Sequence, residues 1–431
     1  VRVFIETMGC RTNVADSSLL ATQLVRYGAT LVQSAQEADL IILNSCTVTH
    51  RADRDTGKML RRFRALEPRP RIVVLGCLPQ ATPDHPVLAL ADLALPGWEL
   101  GDHLPGLLGA ATVDQAGKGP DLPGAGAAFE LEQSSGLSRV NIKICQGCAY
   151  NCTYCIVPSA RGRPASLRRE EVFSRLDQAA AAGFMEVVLS GTHILDYGAD
   201  LGEGHTLTSL VEGMLAREGS YRVRFGSVEP GPQLRELALL MRTSPRLCRH
   251  LHVAIQHSSD AVLRRMGRRH GFDEIRRWLN ELVDLVPEVS LGLDFIVGFP
   301  GETQALFDEA LEGLHALPFT YMHVFSFSPR PGTPAAQWLK EAPPSAIVKE
   351  RSAVLRSVAE RRRVEAAGRT VGSCCSVLVE RVVDGVGPVG HTDTYFEAEI
   401  RGQPALLPGA MVQCRVVGVR GDRLLCEVDR S

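Results

Sequence analysis

The sequence predicts an α/β protein in three parts: a doubly wound α/β domain, a partial (β/α)6 barrel and a small C-terminal β-barrel. Three observations carry this. Apolar strand-like runs alternate with amphipathic helical patterns in two series, a short one and then a longer one of six. Between the series, Gly, Ala and Pro crowd from Leu104 to Ala128, as in Ala116-Gly117-Lys118-Gly119-Pro120, and read as a linker. After Gly368 the pattern changes to five short β runs. The expected divisions are 1–115, a linker over 116–135, then 136–367 and 368–431.

In the first part, Arg2–Glu6, Asp39–Asn44 and Arg71–Leu75 are rich in Val, Ile and Leu, as buried parallel strands are. Helical patterns over Ala15–Tyr27 and Ala52–Leu66 lie between them. A cysteine follows each strand: Cys10 in Met8-Gly9-Cys10, Cys46 in Asn44-Ser45-Cys46, Cys77 in Leu75-Gly76-Cys77. Loops after parallel strands gather on one rim. Three thiols distant in sequence would then converge as a candidate metal-cluster site with an open corner. The alternative is three separate buried cysteines acting as small apolar residues, and the repeated strand-then-cysteine placement favours the cluster. Arg51, Arg54, Lys58, Arg61, Arg62 and Arg64 share the second helix, either as a solvated face or as an RNA-facing one.

The middle series has strands at Arg139–Ile144, Glu186–Ser190, Arg222–Gly226, Leu251–Ile255, Leu291–Val297 and Tyr321–Phe325. Helical patterns such as Leu167–Ala182, Leu207–Ala216, Asp273–Leu285 and Thr303–Leu317 separate them. In a barrel of this kind, active groups lie at the carboxyl ends of the strands. The loop after the first strand carries Cys148, Cys152 and Cys155 in C-x3-C-x2-C spacing. Closely spaced thiolates bind iron tightly, and a [4Fe–4S] cube held at three corners leaves the fourth open to a small molecule. A zinc knuckle is the alternative, but it wants a fourth ligand nearby. The other strand ends are polar: Ser190-Gly191-Thr192-His193, Ser227-Val228-Glu229-Pro230, Ile255-Gln256-His257, and Asp294 running into Gly298-Phe299-Pro300-Gly301-Glu302-Thr303. Strand or helix caps are the plain alternative for each. Arg161, Arg163, Arg168 and Arg169 directly follow the cysteine loop and are candidates for phosphate contact, ahead of Arg264, Arg265, Arg268 and Arg269. Arg361-Arg362-Arg363 reads as a solvated helix face.

The last part has strands at Ser373–Glu380, Val386–His391, Tyr395–Ile400, Met411–Val419 and Leu424–Val428, which suits a small barrel of a common RNA-binding shape. Tyr395 and Phe396 are placed to stack on bases or to fill the barrel core. Cys248, Cys374, Cys375, Cys414 and Cys426 lack metal spacing. The chain has 12 cysteines and no secretory pattern, which argues against a disulfide framework and for a reducing cytoplasm. No apolar run is long enough to cross a bilayer, so no membrane partner is expected. With a net charge of −2, nucleic-acid contact must come from local basic patches.

The run from Asn141 through Cys148, Cys152 and Cys155 to Arg163 resembles the methylthiotransferase branch of the radical S-adenosylmethionine (SAM) enzymes, and the resemblance extends over nearly the whole chain. It implies a radical SAM barrel, an amino-terminal domain with an auxiliary cluster, and a C-terminal TRAM domain, the last through Gly390-His391-Thr392-Asp393-Thr394-Tyr395. It implies two [4Fe–4S] clusters, on Cys148, Cys152, Cys155 and on Cys10, Cys46, Cys77, with SAM both methyl donor and radical source. Gly191 and Thr192 would approach the SAM amino group. Ser227, Glu229 and Gln256 fall in segments expected at the ribose or methionyl part, and Ile296 and Gly298 beside the adenine. Val188–Ile194, Arg224–Pro230 and His323–Ala336 look most like enzymes that act on N6-threonylcarbamoyladenosine in tRNA; isopentenyladenosine or a ribosomal-protein side chain is the alternative substrate. An external electron donor and a sulfur source follow from the same resemblance. A non-catalytic iron–sulfur RNA-binding protein is the rival of another class. Cys145 stands where the family often has Gln; at a strand end before the loop, it is left out of the ligand set.

Overall fold

The computed structural model describes residues 1–97, 100, 103–109, 137–403 and 405–429. The linker expected over 116–135 and the end of the first part at 115 lie outside the described residues.

Five parallel strands open the chain: β1 (Arg2–Thr7), β2 (Thr30–Leu31), β3 (Leu40–Ser45), β4 (Arg71–Gly76) and β5 (Leu93–Ala94), in the order β2-β1-β3-β4-β5. The side chains of β3 alternate between two faces, as strand geometry requires. Leu40 and Ile42 pack with Leu20, Ala21 and Leu24 of the helix Arg11–Arg26. Ile41 and Leu43 pack with Leu60 and Phe63 of the helix His50–Arg64. One helix on each face is the doubly wound arrangement. The two edge strands, two residues each, are too short to show a period in sequence.

The barrel strands are β6 (Val140–Lys143), β9 (Glu186–Ser190), β10 (Arg222–Phe225) continued by β11 (Ser227–Val228), β12 (His250–Gln256), β13 (Ser290–Val297) and β14 (Tyr321–Ser326). A short antiparallel ribbon, β7 (Cys145–Gln146) with β8 (Ala165–Ser166), brackets the cysteine loop. The third barrel strand breaks at Gly226, so the hydrogen-bonded ladders are β10-β9-β6 and β11-β12-β13-β14. All six expected strands are present and parallel. β6 and β14 do not pair, so the barrel is partial. The helix Arg11–Arg26 lies against β6, and the long helix Ser345–Arg369 against β14.

The last strands, β15 (Cys374–Val383), β16 (Gly387–Thr392), β17 (Glu397–Arg401), β18 (Met411–Arg420) and β19 (Arg423–Val428), close into a barrel in the order β15-β16-β17-β19-β18. Val377, Val379, Phe396, Ile400, Val416 and Leu424 fill it. It docks on the amino ends of the large barrel's strands, away from the cysteine loop. Fully buried Glu186, the first residue of β9, pairs with Arg222 at 2.6 Å and Arg224 at 2.9 Å. Those guanidiniums donate onward to the small barrel's carbonyls, Arg222 to Ser376 (2.8 Å) and Arg224 to Thr392 (2.9 Å). Tyr395 seals the junction. Its ring stacks on His250 at 4.7 Å and His391 at 4.8 Å, and Arg11 donates to its hydroxyl at 2.9 Å. The base-stacking role considered for Tyr395 is therefore taken by protein partners, and Phe396 is core.

Candidate active site

The C-x3-C-x2-C loop is a fixed structure. Gly147 has φ +75°, and a Cβ there would collide with the Arg163 carbonyl, so only glycine lets the loop turn beside its own return strand. Cys148 N–H donates to Gly162 O (3.1 Å), and Thr153 N–H to Met266 O (2.9 Å). Tyr154 packs with Val262, Met266, Phe299 and Ala335. Two sulfurs lie against backbone amides, Cys148 with Tyr150 N–H at 3.4 Å and Cys155 with Val157 N–H. Burial pushes the Cys148 thiol up and the Cys155 thiol up to about 12. These thiols stay protonated at neutral pH until a metal displaces the proton.

The wall facing the loop holds a residue the sequence reading ranked low. Arg268 donates to the Cys152 sulfur at 3.7 Å, to Ala254 O at 3.0 Å, and to the Glu229 carboxylate. A recess of about 240 Å³ opens here, with Tyr150, Cys152, His193, Glu229 and Arg268 in its walls. Tyr150 is stacked on His193 (4.4 Å), and the Arg269 guanidinium lies 3.7 Å from the centre of the same ring.

Cys10, Cys46 and Cys77 do converge. The register Thr7↔Asn44 and Ser45↔Gly76 aligns the ends of β1, β3 and β4. Each thiol lies within electrostatic reach of the others. Gly9, at φ +106°, leaves room for this: a Cβ would stand 2.7 Å from the Cys46 Cβ. Cys10 is the N-cap of the helix Arg11–Arg26, where exposed amides favour negative charge. Burial pushes the Cys46 thiol up and the Cys77 thiol up to about 12. Beneath lies a buried polar floor. Asn13 Nδ2 donates to Asn44 Oδ1 (3.2 Å) and Ser45 O (3.1 Å), and Asn13 Oδ1 accepts from the Cys10 thiol (3.3 Å). The helix Cys77–Ala81 packs on Val157–Arg161, the helix that follows Cys155, so the two cysteine sets sit side by side. Arg161 is buried there, paired with Asp16 at 3.0 Å, and does not offer the surface phosphate contact expected of it.

The remaining strand-end residues divide. Ser190 Oγ and Thr192 Oγ1 are buried without a hydrogen-bond partner among the described residues, hydroxyls that an incoming ligand would satisfy. Gln256 has φ +71°, a strained backbone at a strand end. Ser227 Oγ is hydrogen-bonded to His252 Nδ1 at 3.0 Å. Ile296 is half-buried. Gly191 and Gly298 have packing reasons of their own, since added Cβ atoms would meet Cys145 Sγ and Val348. Cys145 itself is buried and donates to His193 O at 3.6 Å, with its thiol pushed up to about 12 by burial. The barrel lumen holds a further polar group. Asp294 Oδ1 lies 3.3 Å from His252 Nε2 and 3.5 Å from His323 Nδ1. His252 and His323 were missed, although His250-x-His252 and Tyr321-x-His323 place them on one strand face by period alone.

The fit to iron–sulfur cofactors is therefore good on the donor side: two convergent thiol triplets, amide donors at their sulfurs and orphaned hydroxyls beside one of them. Comparison with known proteins agrees. Residues 142–314 match the model of the radical SAM superfamily, and residues 2–92 that of the uncharacterized protein family UPF0004. The threonylcarbamoyladenosine tRNA methylthiotransferase MtaB of Thermotoga maritima is 32% identical over 406 residues, 93% of this chain and 91% of that one. The tRNA-2-methylthio-N(6)-dimethylallyladenosine synthase of Caldicellulosiruptor saccharolyticus is 34% identical over 388 residues, 87% and 81% of the two chains. Among solved structures, the radical SAM methyltransferase TsrM of Kitasatospora setae shares the fold at a TM-score of 0.56 and 16% identity, covering 78% of this chain and 76% of its own. With its paired thiol triplets and full-length likeness to such relatives, this chain belongs to the radical SAM methylthiotransferase family, enzymes with SAM and [4Fe–4S] clusters as cofactors.

Proposed function

We propose that this enzyme transfers a methylthio group to C2 of N6-threonylcarbamoyladenosine beside the anticodon of tRNA. The observation that carries the reading is the meeting of two cysteine triplets at one rim, joined through the packed helices Cys77–Ala81 and Val157–Arg161. Cys148, Cys152 and Cys155 would hold the radical cluster and its SAM, and Cys10, Cys46 and Cys77 the auxiliary one. When bound, these groups supply the electron that splits SAM to a 5′-deoxyadenosyl radical, and the sulfur to be transferred. A radical is needed because the adenine C2–H bond is too strong and too weakly acidic for side-chain acid–base removal.

The chain's own residues orient and enclose. Glu229, fixed by Arg268, faces the recess beside Cys152 and is placed to accept from hydroxyl or ammonium groups of SAM. Ser190 and Thr192 offer free hydroxyls on the neighbouring strand end. Tyr395 packs on His250 and His391 at the amino ends of the barrel strands. The lumen group His252, Asp294 and His323 faces the space a target base would enter. Arg51, Arg54, Lys58, Arg61 and Arg62 are exposed on one helix, a basic stripe suited to an RNA backbone. The small closed barrel suits a TRAM-like RNA-binding role. An external electron donor and a sulfur source complete the requirement.

The threonylcarbamoyl assignment is supported by Val188–Ile194, Arg224–Pro230 and His323–Ala336, and by the name of the Thermotoga relative. The Caldicellulosiruptor relative, at similar identity, keeps the isopentenyl substrate in view. Mass spectrometry of tRNA nucleosides from cells lacking the chain, and from cells given it back, decides. Return of the 2-methylthio-threonylcarbamoyl nucleoside is the expected result. Return of the isopentenyl analogue alone would keep the chemistry and overturn the substrate. No change in either would overturn the tRNA reading.

A further inference from the structure

Arg161 lies six residues beyond Cys155, at the end of the helix Val157–Arg161 that follows one cysteine triplet, yet its charge bears on the other. It is 7% exposed. Its Nη2 donates to Asn13 Oδ1 at 2.8 Å and to Asp16 Oδ2 at 3.0 Å. Asn13 Oδ1 is the atom that also accepts the Cys10 thiol. The guanidinium also lies within electrostatic reach of Cys77 and Cys46. It thus bears on all three thiols, on Cys10 through Asn13 and on Cys46 and Cys77 through space.

Burying a guanidinium is costly unless something answers its charge. Asp16 answers it, and the same carboxylate also pairs with Lys143. The guanidinium bears on three sulfurs, which are anionic when they ligate a metal. A fixed cation in a low-dielectric site favours whichever state of its neighbour is more negative. For an iron–sulfur cluster that is the reduced state, and hydrogen bonds to the ligand sulfurs act in the same direction.

We propose that Arg161 is a positioning residue that pins the auxiliary site of Cys10, Cys46 and Cys77 to the radical-cluster loop and raises the reduction potential of the cluster held there. The proposal rests on assigning those three cysteines to a second cluster. The redox step is a one-electron reduction in which the electron comes from the added reductant and no bond is made or broken.

The test uses the full chain carrying C148A, C152A and C155A, so that only the second cluster forms. It is reconstituted anaerobically and titrated with dithionite while the reduced-cluster spin signal is followed. R161Q should lower the potential so that the reduction equilibrium falls at least tenfold, which is 59 mV for one electron. R161K, which keeps the charge, should recover at least half of that. D16N, which leaves the guanidinium less compensated, should move the potential the opposite way. R161Q with intact iron content and unchanged potential overturns the proposal, as does R161K matching R161Q. If R161Q loses its cluster outright, D16N decides: a raised potential upholds the proposal, and an unchanged or lowered one overturns it. A background chain that takes up no [4Fe–4S] cluster overturns the assignment beneath it as well.

Discussion

Arg330 donates to Asp53 at 2.7 Å across the boundary between the large barrel and the amino-terminal sheet domain, with both side chains nearly sealed from water. Thr47 ties into the same pair, accepting from Arg330 at 2.6 Å and donating to Asp53 at 2.7 Å. The Pro329-Arg330-Pro331-Gly332 run, which in sequence looks like a subfamily mark, is here a clasp that holds one cysteine triplet against the other. Removing one partner of a buried pair strands the other charge, at a cost of about 3–5 kcal/mol. R330A should lose roughly that much in chemical denaturation, a large part of an ordinary domain's stability. The apolar pair R330M/D53L should recover most of it. An R330A midpoint equal to wild type would show that the clasp does not hold the two parts together.

The two triplets should fail differently. C152A should abolish 5′-deoxyadenosine formation from SAM while iron remains bound at Cys10, Cys46 and Cys77. C46A should retain part of the SAM cleavage and stop thiolation of the substrate. The measurement is product chromatography on anaerobically reconstituted protein with a chemical reductant. Equal loss of both activities in C46A would count against the division of labour.

The cysteine rims could be read in advance because each thiol follows an apolar parallel strand, and topology then brings them to one edge. The six barrel strands and five small-barrel strands were legible for the same reason, a regular period repeated many times. What periodicity does not reveal is what another domain lays over a given face. Arg161 reads in sequence as a phosphate contact, and Arg224 and Arg330 only as parts of family-like segments; their partners Asp16, Glu186 and Asp53 are far away along the chain. Tyr395 escaped for a related reason, since its neighbours Arg11, His250 and Arg224 come from two other parts of the fold. Arg363, read as part of a solvated face, is paired with Asp422 at 2.6 Å.

Arg268 should matter to SAM without being a ligand. It fixes Glu229 and touches the Cys152 sulfur, so R268Q removes an outer partner from both. Losses of such partners typically cost 10–100-fold. R268Q should show about that decrease in 5′-deoxyadenosine formation, with iron content near wild type. A wild-type rate would mean that Glu229 and the loop keep their positions unaided.

Mild acid should loosen the protein through its buried histidines. Burial, reinforced by the guanidiniums of Arg139 and Arg224, pulls His391 down to about 3. Burial likewise brings His252 down to about 4, against the opposing pull of Asp294. In the unfolded chain both titrate near 6.5. The unfolded state therefore binds more protons below that pH, and folding stability must fall as acid is added. The contribution is whole above the unfolded value and is lost progressively as pH drops toward the folded values. At pH 5 each histidine should have cost about 2 kcal/mol, since one pH unit below the unfolded value is worth about 1.4 kcal/mol per group. Fully buried His250, also pulled well down by burial, adds a third such contribution, so the cluster-free chain should melt lower at pH 5 than at pH 7, and the drop should shrink by about a third in H391Q. Because His391 lies in the junction between the two barrels, acid should expose that junction first, seen as faster amide exchange in β16 than in β13. An unchanged pH slope in H391Q would move the acid sensitivity to other groups.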